Sequence, residues 1–133
     1  MTEFSIPISF GELIDKITIL EIKSQRMTDA AKLRNVRTEL AMLSETWKSS
    51  PFASGEISAE WAGLRDVNGN LWDIEDRIRD KEREAAFDAE FIELARAVYV
   101  TNDERAALKR RINTKLGSVL VEEKSYAEYK RPG

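Results

Sequence analysis

Histidine and cysteine are both missing from this 133-residue sequence, and those two absences close several chemistries at once. There is no thiol nucleophile, no histidine general base and none of the usual zinc sites. Di-iron bundles that need Glu-x-x-His are excluded for the same reason. Lack of cysteine also leaves the redox compartment unmarked. Glycine (six) and proline (three) are scarce, so the frequent turns of a sheet protein have little to build them. No run approaches the ~20 apolar residues that cross a bilayer. The opening Met1-Thr-Glu-Phe-Ser-Ile-Pro7 has neither a basic leader nor a continuous apolar core. Cytoplasm is therefore the expected compartment, with no membrane partner. Carboxylate, lysine, arginine, tyrosine and hydroxyl chemistry remain, and no cofactor is implied.

What is present points to long amphipathic helices. Hydrophobic residues make up 42%, enough for a packed core, while 34% are charged, above the ~25% of an average domain. One domain fits the length. The net charge of −3, from 21 basic and 24 acidic residues, disfavours a nucleic-acid partner. The basic run Arg105, Lys109, Arg110, Arg111 and Lys115 reads first as a solvated helix face.

Along the chain, Phe4, Ile6, Ile8 and Phe10 alternate with polar residues or proline, so residues 1–9 read as extended, with Pro7 against a central strand. Ser9 and Glu12 form a capping box that starts a helix from Phe10 to about Met27. Phe10, Leu13, Ile17, Leu20 and Met27 share one face, and Ile14, Ile19 and Ile22 project elsewhere. A helix apolar on several sides needs several neighbours. Thr28 and Asp29 cap a second helix with a seam through Leu33, Val36, Leu40, Leu43 and Trp47. A loop follows from Ser49 to Ser58. Trp61, Leu64, Val67, Leu71, Ile74 and Ile78 keep three/four spacing straight through Asn68-Gly69-Asn70, which predicts one helix from Ser58 to about Glu84 despite the turn signal. Phe87, Asp88 and Ile92 suggest a staple around an N-cap. At Thr101, T-x-x-E suggests a new helix or a kink before Leu108, Ile112 and Leu116, with Gly117 as C-terminal cap. Residues 122–133 are expected to fray.

The stretches Ile8-Ser-Phe-Gly-Glu-Leu-Ile-Asp-Lys-Ile-Thr-Ile-Leu20, Asn70-Leu-Trp-Asp-Ile-Glu-Asp-Arg-Ile-Arg79 and Val98-Tyr-Val-Thr-Asn-Asp-Glu-Arg-Ala-Ala-Leu-Lys-Arg110 carry a likeness, as do Gly117-Ser118 and Glu122-Glu-Lys-Ser-Tyr126. Together they resemble a mainly bacterial family of unknown function, family 6165. The resemblance implies a small helical domain and assigns no catalytic residue.

Three clusters carry candidate chemistry. Asp73/Asp76 and Glu90/Glu93 loosely resemble the magnesium-binding carboxylates of helical nucleotide pyrophosphohydrolases. However, Asp73 and Asp76 turn roughly 140–160° from the helix seam, so no metal site is expected. Arg105 falls in the apolar face of Leu108, Ile112 and Leu116, flanked by Asn102, Lys109 and Asn113. A guanidinium there needs a partner, and Glu75 and Asp15 are the candidates. The bland reading is a structural ion pair; the sharp one is an anion pocket at Arg105, Lys109, Asn102 and Asn113, by analogy with helical chorismate mutases. Asn68 reads as a buried polar residue setting register, and Trp72 as packing against another helix or an interface.

The expectation is an all-α antiparallel bundle of four or five helices, with the first buried most deeply. Its surplus apolar surface favours a homodimer, and an unidentified protein partner is also open. A protein-interaction or assembly module is the leading functional expectation, ahead of an anionic-ligand site or enzyme.

Overall fold

Ser9 (φ −73°, ψ 160°) ends the leading stretch by accepting the N–H of Glu12, and α1 begins there, Phe10–Arg26. Three more helices follow in this computed structural model: α2 Ala30–Lys48, α3 Ser58–Arg83 and α4 Ala89–Leu116. The structure describes residues 2–129, and among them there is no strand. Asp29 caps α2 by accepting Lys32 N–H, and Asp88 caps α4 by accepting Phe91 N–H. Each cap satisfies a donor that has no partner within its own helix. Phe87 meets Phe91 edge-on at 5.2 Å, so the staple closes on Phe91.

Helix α1 lies at the centre. It runs beside α2, α3 and α4, whereas the backbone of α2 lies along α1 alone. Gly11 faces Lys109 and Asn113, and Asp15 faces Arg105, so α1 and α4 are antiparallel. Glu60–Lys115 and Lys81–Asp88 mark the two ends of an equally antiparallel α3–α4 pair. Ile14, Ile17, Leu64 and Ile112 are at most 1% exposed, and Leu13, Trp47 and Ile57 complete the core cluster. Burying each such aliphatic side chain stabilises the fold by about 1.5–3 kcal/mol. Trp47 reaches across to Trp61, centroids 5.9 Å apart, and ties α2 to α3.

Helix α3 winds without interruption through Asn68-Gly69-Asn70. So does α4 through Thr101, where the sequence suggested a new helix or a kink. The hydroxyl of Thr101 is not an N-cap: the residue is buried on the inward face, in one register with Leu94, Arg105, Leu108 and Ile112. Only half of the Ser9 capping box forms as drawn, because the Glu12 carboxylate turns to Lys109 instead.

Both long helices end in the same six-residue motif. Ser118 N–H donates to Asn113 at 2.8 Å around Gly117, whose φ is 71°. Ala86 N–H donates to Lys81 at 2.9 Å around Ala85, whose φ is 54°. Glycine adopts this left-handed conformation freely, while a Cβ costs roughly 1–2 kcal/mol there. Ala85→Gly should therefore stabilise the fold by about 1 kcal/mol, part of the relief being offset by unfolded-state entropy. Urea denaturation with an unchanged m-value would check it.

Candidate functional site

Asp15 and Thr18 stand on an otherwise apolar face of α1 and are 1% and 0% exposed. A carboxylate so placed requires a cation and further donors. Arg105 supplies the cation from α4, donating from Nε to Oδ1 at 2.9 Å and from Nη2 to Oδ2 at 2.5 Å. This two-pronged geometry is the strongest form of carboxylate pairing. Asn68 of α3 donates from Nδ2 to Asp15 Oδ1 at 2.9 Å and to Thr18 Oγ1 at 3.0 Å. The Thr18 hydroxyl in turn donates to the Asp15 carbonyl at 2.8 Å. Three helices thus meet at one carboxylate.

One and two turns further along α4, Lys109 and Asn113 meet the start of α1. Lys109 Nζ sits 2.7 Å from Glu12 and 2.7 Å from Glu122. Asn113 Oδ1 accepts Gly11 N–H at 2.8 Å, satisfying another donor of the first turn. A Cβ on Gly11 would lie 2.4 Å from the Lys109 carbonyl oxygen, so the two backbones can approach this closely only at glycine. Burial works to lower the Lys109 pKa, but hydrogen bonds to Glu12 and Glu122 outweigh it and the net shift is upward. The Arg105 guanidinium is also raised, chiefly by its hydrogen bonds to Asp15, against the opposing effect of burial.

The four residues suggested as an anion pocket fall into two pairs, Asn102 with Arg105 at one cleft and Lys109 with Asn113 at another. Arg105 is committed to Asp15, Lys109 lies between two carboxylates, and Asn113 caps α1. Asn102 is exposed at the wall of a cleft of about 430 Å³ over Arg105, which Ile19, Ile22, Leu71 and Trp72 also line. Glu75 borders that cleft too, but its ion pair is with Arg79 at 3.2 Å, not with Arg105. With Arg105 joined to Asp15 and Glu75 to Arg79, Asp76 leaves the cleft lining net negative toward an arriving anion. The carboxylates Asp73, Asp76, Glu90 and Glu93 are all exposed. Asp73 pairs with Arg26, and Glu90 with Arg77 and Lys81. Among the described residues no group of three or more acidic side chains is placed to hold a metal ion.

The sequence pattern that defines the family of unknown function DUF6165 matches residues 4–131. The chain belongs to that family. Neither a curated protein nor a solved structure matches it. For this DUF6165 domain the geometry of its own residues is the guide to function. Among the described residues no buried side-chain nitrogen or oxygen lacks a hydrogen-bond partner. No helix among them is long and apolar enough to cross a membrane.

Three pairings escape a reading of the sequence. Glu60, 6% exposed, holds Lys115 at 2.8 Å across α3 and α4. Its signal was there: it lies one turn before Leu64 on the core face, in the first turn where a carboxylate is favoured. The roles of Glu12 and Thr18 depend on how helices cross, and spacing alone does not announce that.

Arg105→Met should cost about 3 kcal/mol by stranding Asp15, and adding Asp15→Leu should recover much of it. Urea titrations of the two single variants and the double variant would decide this. Equal losses in the double and Arg105→Met variants would contradict the pairing. Because the Lys109 pKa is raised on folding, its stabilisation is complete below the unfolded value of ~10.4 and is lost as pH rises through the folded value. The stability gap between the parent and Lys109→Met should stay level from neutral pH to about 9 and then shrink, as followed by denaturation at each pH.

Proposed function

We propose that the domain is a protein-interaction module that associates with a second copy of itself, works in the cytoplasm and performs no reaction of its own. The observation that supports this most is the apolar exposure along α4 and just ahead of it. Phe87, Ile92, Tyr99 and Val100 are 59%, 56%, 41% and 40% exposed. Ile92 and Tyr99 lie two turns apart on one face. Large apolar side chains left in solvent, two of them on one face, favour a protein partner. From sequence, the homodimer rested on the two long helical seams and on the breadth of α1. That surface is consumed internally, since Leu13, Ile14, Ile17, Leu20 and Ile22 are all buried against the other helices. The unmatched apolar surface is on α4 instead.

The self-satisfied polar interior agrees with a binding role. Arg105, Lys109 and Lys115 all hold carboxylates of the same chain, so their charge is already committed to the fold. Sedimentation equilibrium across the micromolar range should show a dimer. Ile92→Glu should raise its dissociation constant at least tenfold, about 1.4 kcal/mol, with helical content unchanged. A wild-type chain that stays monomeric throughout would remove the proposal.

A further inference from the structure

Beyond Gly117 the chain does not leave the bundle. Ser118 Oγ donates to the Leu120 carbonyl at 2.6 Å, and the following segment runs back along the outer face of α4 in the opposite direction. Glu122 meets Lys109, Glu123 meets Arg110 at 3.2 Å, Lys124 meets Asp103, and the Tyr129 ring packs on Tyr99 at 4.8 Å. Charges and aromatics match position by position: acid on base, base on acid, ring on ring. The tail expected to fray is tied down as far as Tyr129, and Lys130–Gly133 lie outside the described residues.

We propose that this face of α4 is a docking site for the C-terminal segment, residues 118–129, of a second copy, and that the segment seen here fills its own chain's site. The proposal rests on the self-association reading and names its surface. Four observations carry it. The segment forms neither helix nor strand, and its attachments are mostly exposed ion pairs, individually weak in water, so it is held by recognition more than by packing. Val119 and Tyr126 remain 97% and 87% exposed. A space of about 250 Å³, floored by Ala106 and Ala107, is left between segment and helix. Finally, the site continues into the apolar exposure of α4, because Ile92, Tyr99, Asp103 and Arg110 share one face.

Reach permits the exchange. The twelve residues from Ser118 to Tyr129 span up to about 40 Å when extended, against about 26 Å of helix between Leu116 and Tyr99. A segment with that slack can cross to an α4 lying alongside, and reciprocal exchange gives a closed two-fold pair.

The cysteine-free chain makes the test direct. A Tyr99→Cys chain mixed with a Tyr129→Cys chain under oxidised glutathione can join the two positions only between molecules. The mixture should give covalent dimer roughly tenfold faster than either variant alone, reflecting the raised effective concentration in a docked pair. Adding Asp103→Lys and Arg110→Glu to the Tyr99→Cys chain should slow it. Adding Glu123→Lys and Lys124→Asp to the Tyr129→Cys chain should restore the rate. A mixture no faster than its components, or one indifferent to these charge reversals, overturns the proposal. If the wild-type chain sediments as a dimer while the mixture fails to cross-link, self-association stands and this surface is wrong. A monomer with no cross-link removes both.

Discussion

Asp15 is a carboxylate with 1% of its surface in water, and the arrangement of α1, α3 and α4 follows from what it takes to keep it there. Its charge must be met by a cation that cannot be replaced by solvent, and Arg105 meets it through two hydrogen bonds. Replacing such a pair by apolar groups can be neutral, whereas separating the partners is costly. The pair therefore contributes less to total stability than to the choice among possible packings. Arg105, Lys109 and Asn113 recur every four residues on α4 and meet Asp15, Glu12 and Gly11 in reverse order on α1. Sliding α4 by one turn would strand all three contacts at once. It would also bring a different residue against the Lys109 backbone, where only the absence of a Cβ at Gly11 leaves room.

The same carboxylate recruits α3. Asn68 donates both to Asp15 and to Thr18, which fixes how α3 crosses α1 and explains a polar residue inside a helix seam. At its far end α1 is held to α3 again, with Arg26 paired to Asp73 and stacked over Trp72 at 5.9 Å. Helix α2 is added differently: Leu40, Leu43 and Trp47 join the apolar core, with Val36 buried further up the helix. Apolar contact is non-directional, so the polar network specifies the three-helix frame, and the fourth helix completes its core.

Much of this was legible in periodicity. The four helices, the continuity of α3 through Asn68-Gly69 and the central place of α1 all follow from where apolar residues recur. Arg105 was conspicuous because it interrupts an apolar stripe. The same test of an unbroken register, applied at Thr101, joins the last two segments into α4, where the capping motif had left a new helix or a kink open. Choosing between Asp15 and Glu75 as the partner of Arg105 was beyond the sequence, since both lie near a seam and only the interhelical crossing separates them. The end of α3 was blurred for another reason. Alanine occupies the left-handed position at Ala85, where glycine would have marked the stop. The C-terminal segment was read as loose because it is a chain terminus, and its order comes from matching charges on the preceding helix.

The two faces of α4 treat charge in opposite ways, and this bears on what kind of protein the domain is. On the inner face Arg105 is joined to a carboxylate removed from water, a contact whose partners are fixed by the core around them. On the outer face Arg110, Asp103 and Tyr99 meet Glu123, Lys124 and Tyr129 in contacts that solvent reaches. Such pairs give specificity of orientation at little cost to separation. The cations Arg105, Lys109 and Lys115 are joined to carboxylates of the same chain. Weak, ordered and solvent-accessible complementarity suits a surface that exchanges one occupant for another. The chain's own C-terminal segment lies on that face, and its acid, base and ring are the groups that the proposed exchange with a second copy would reuse.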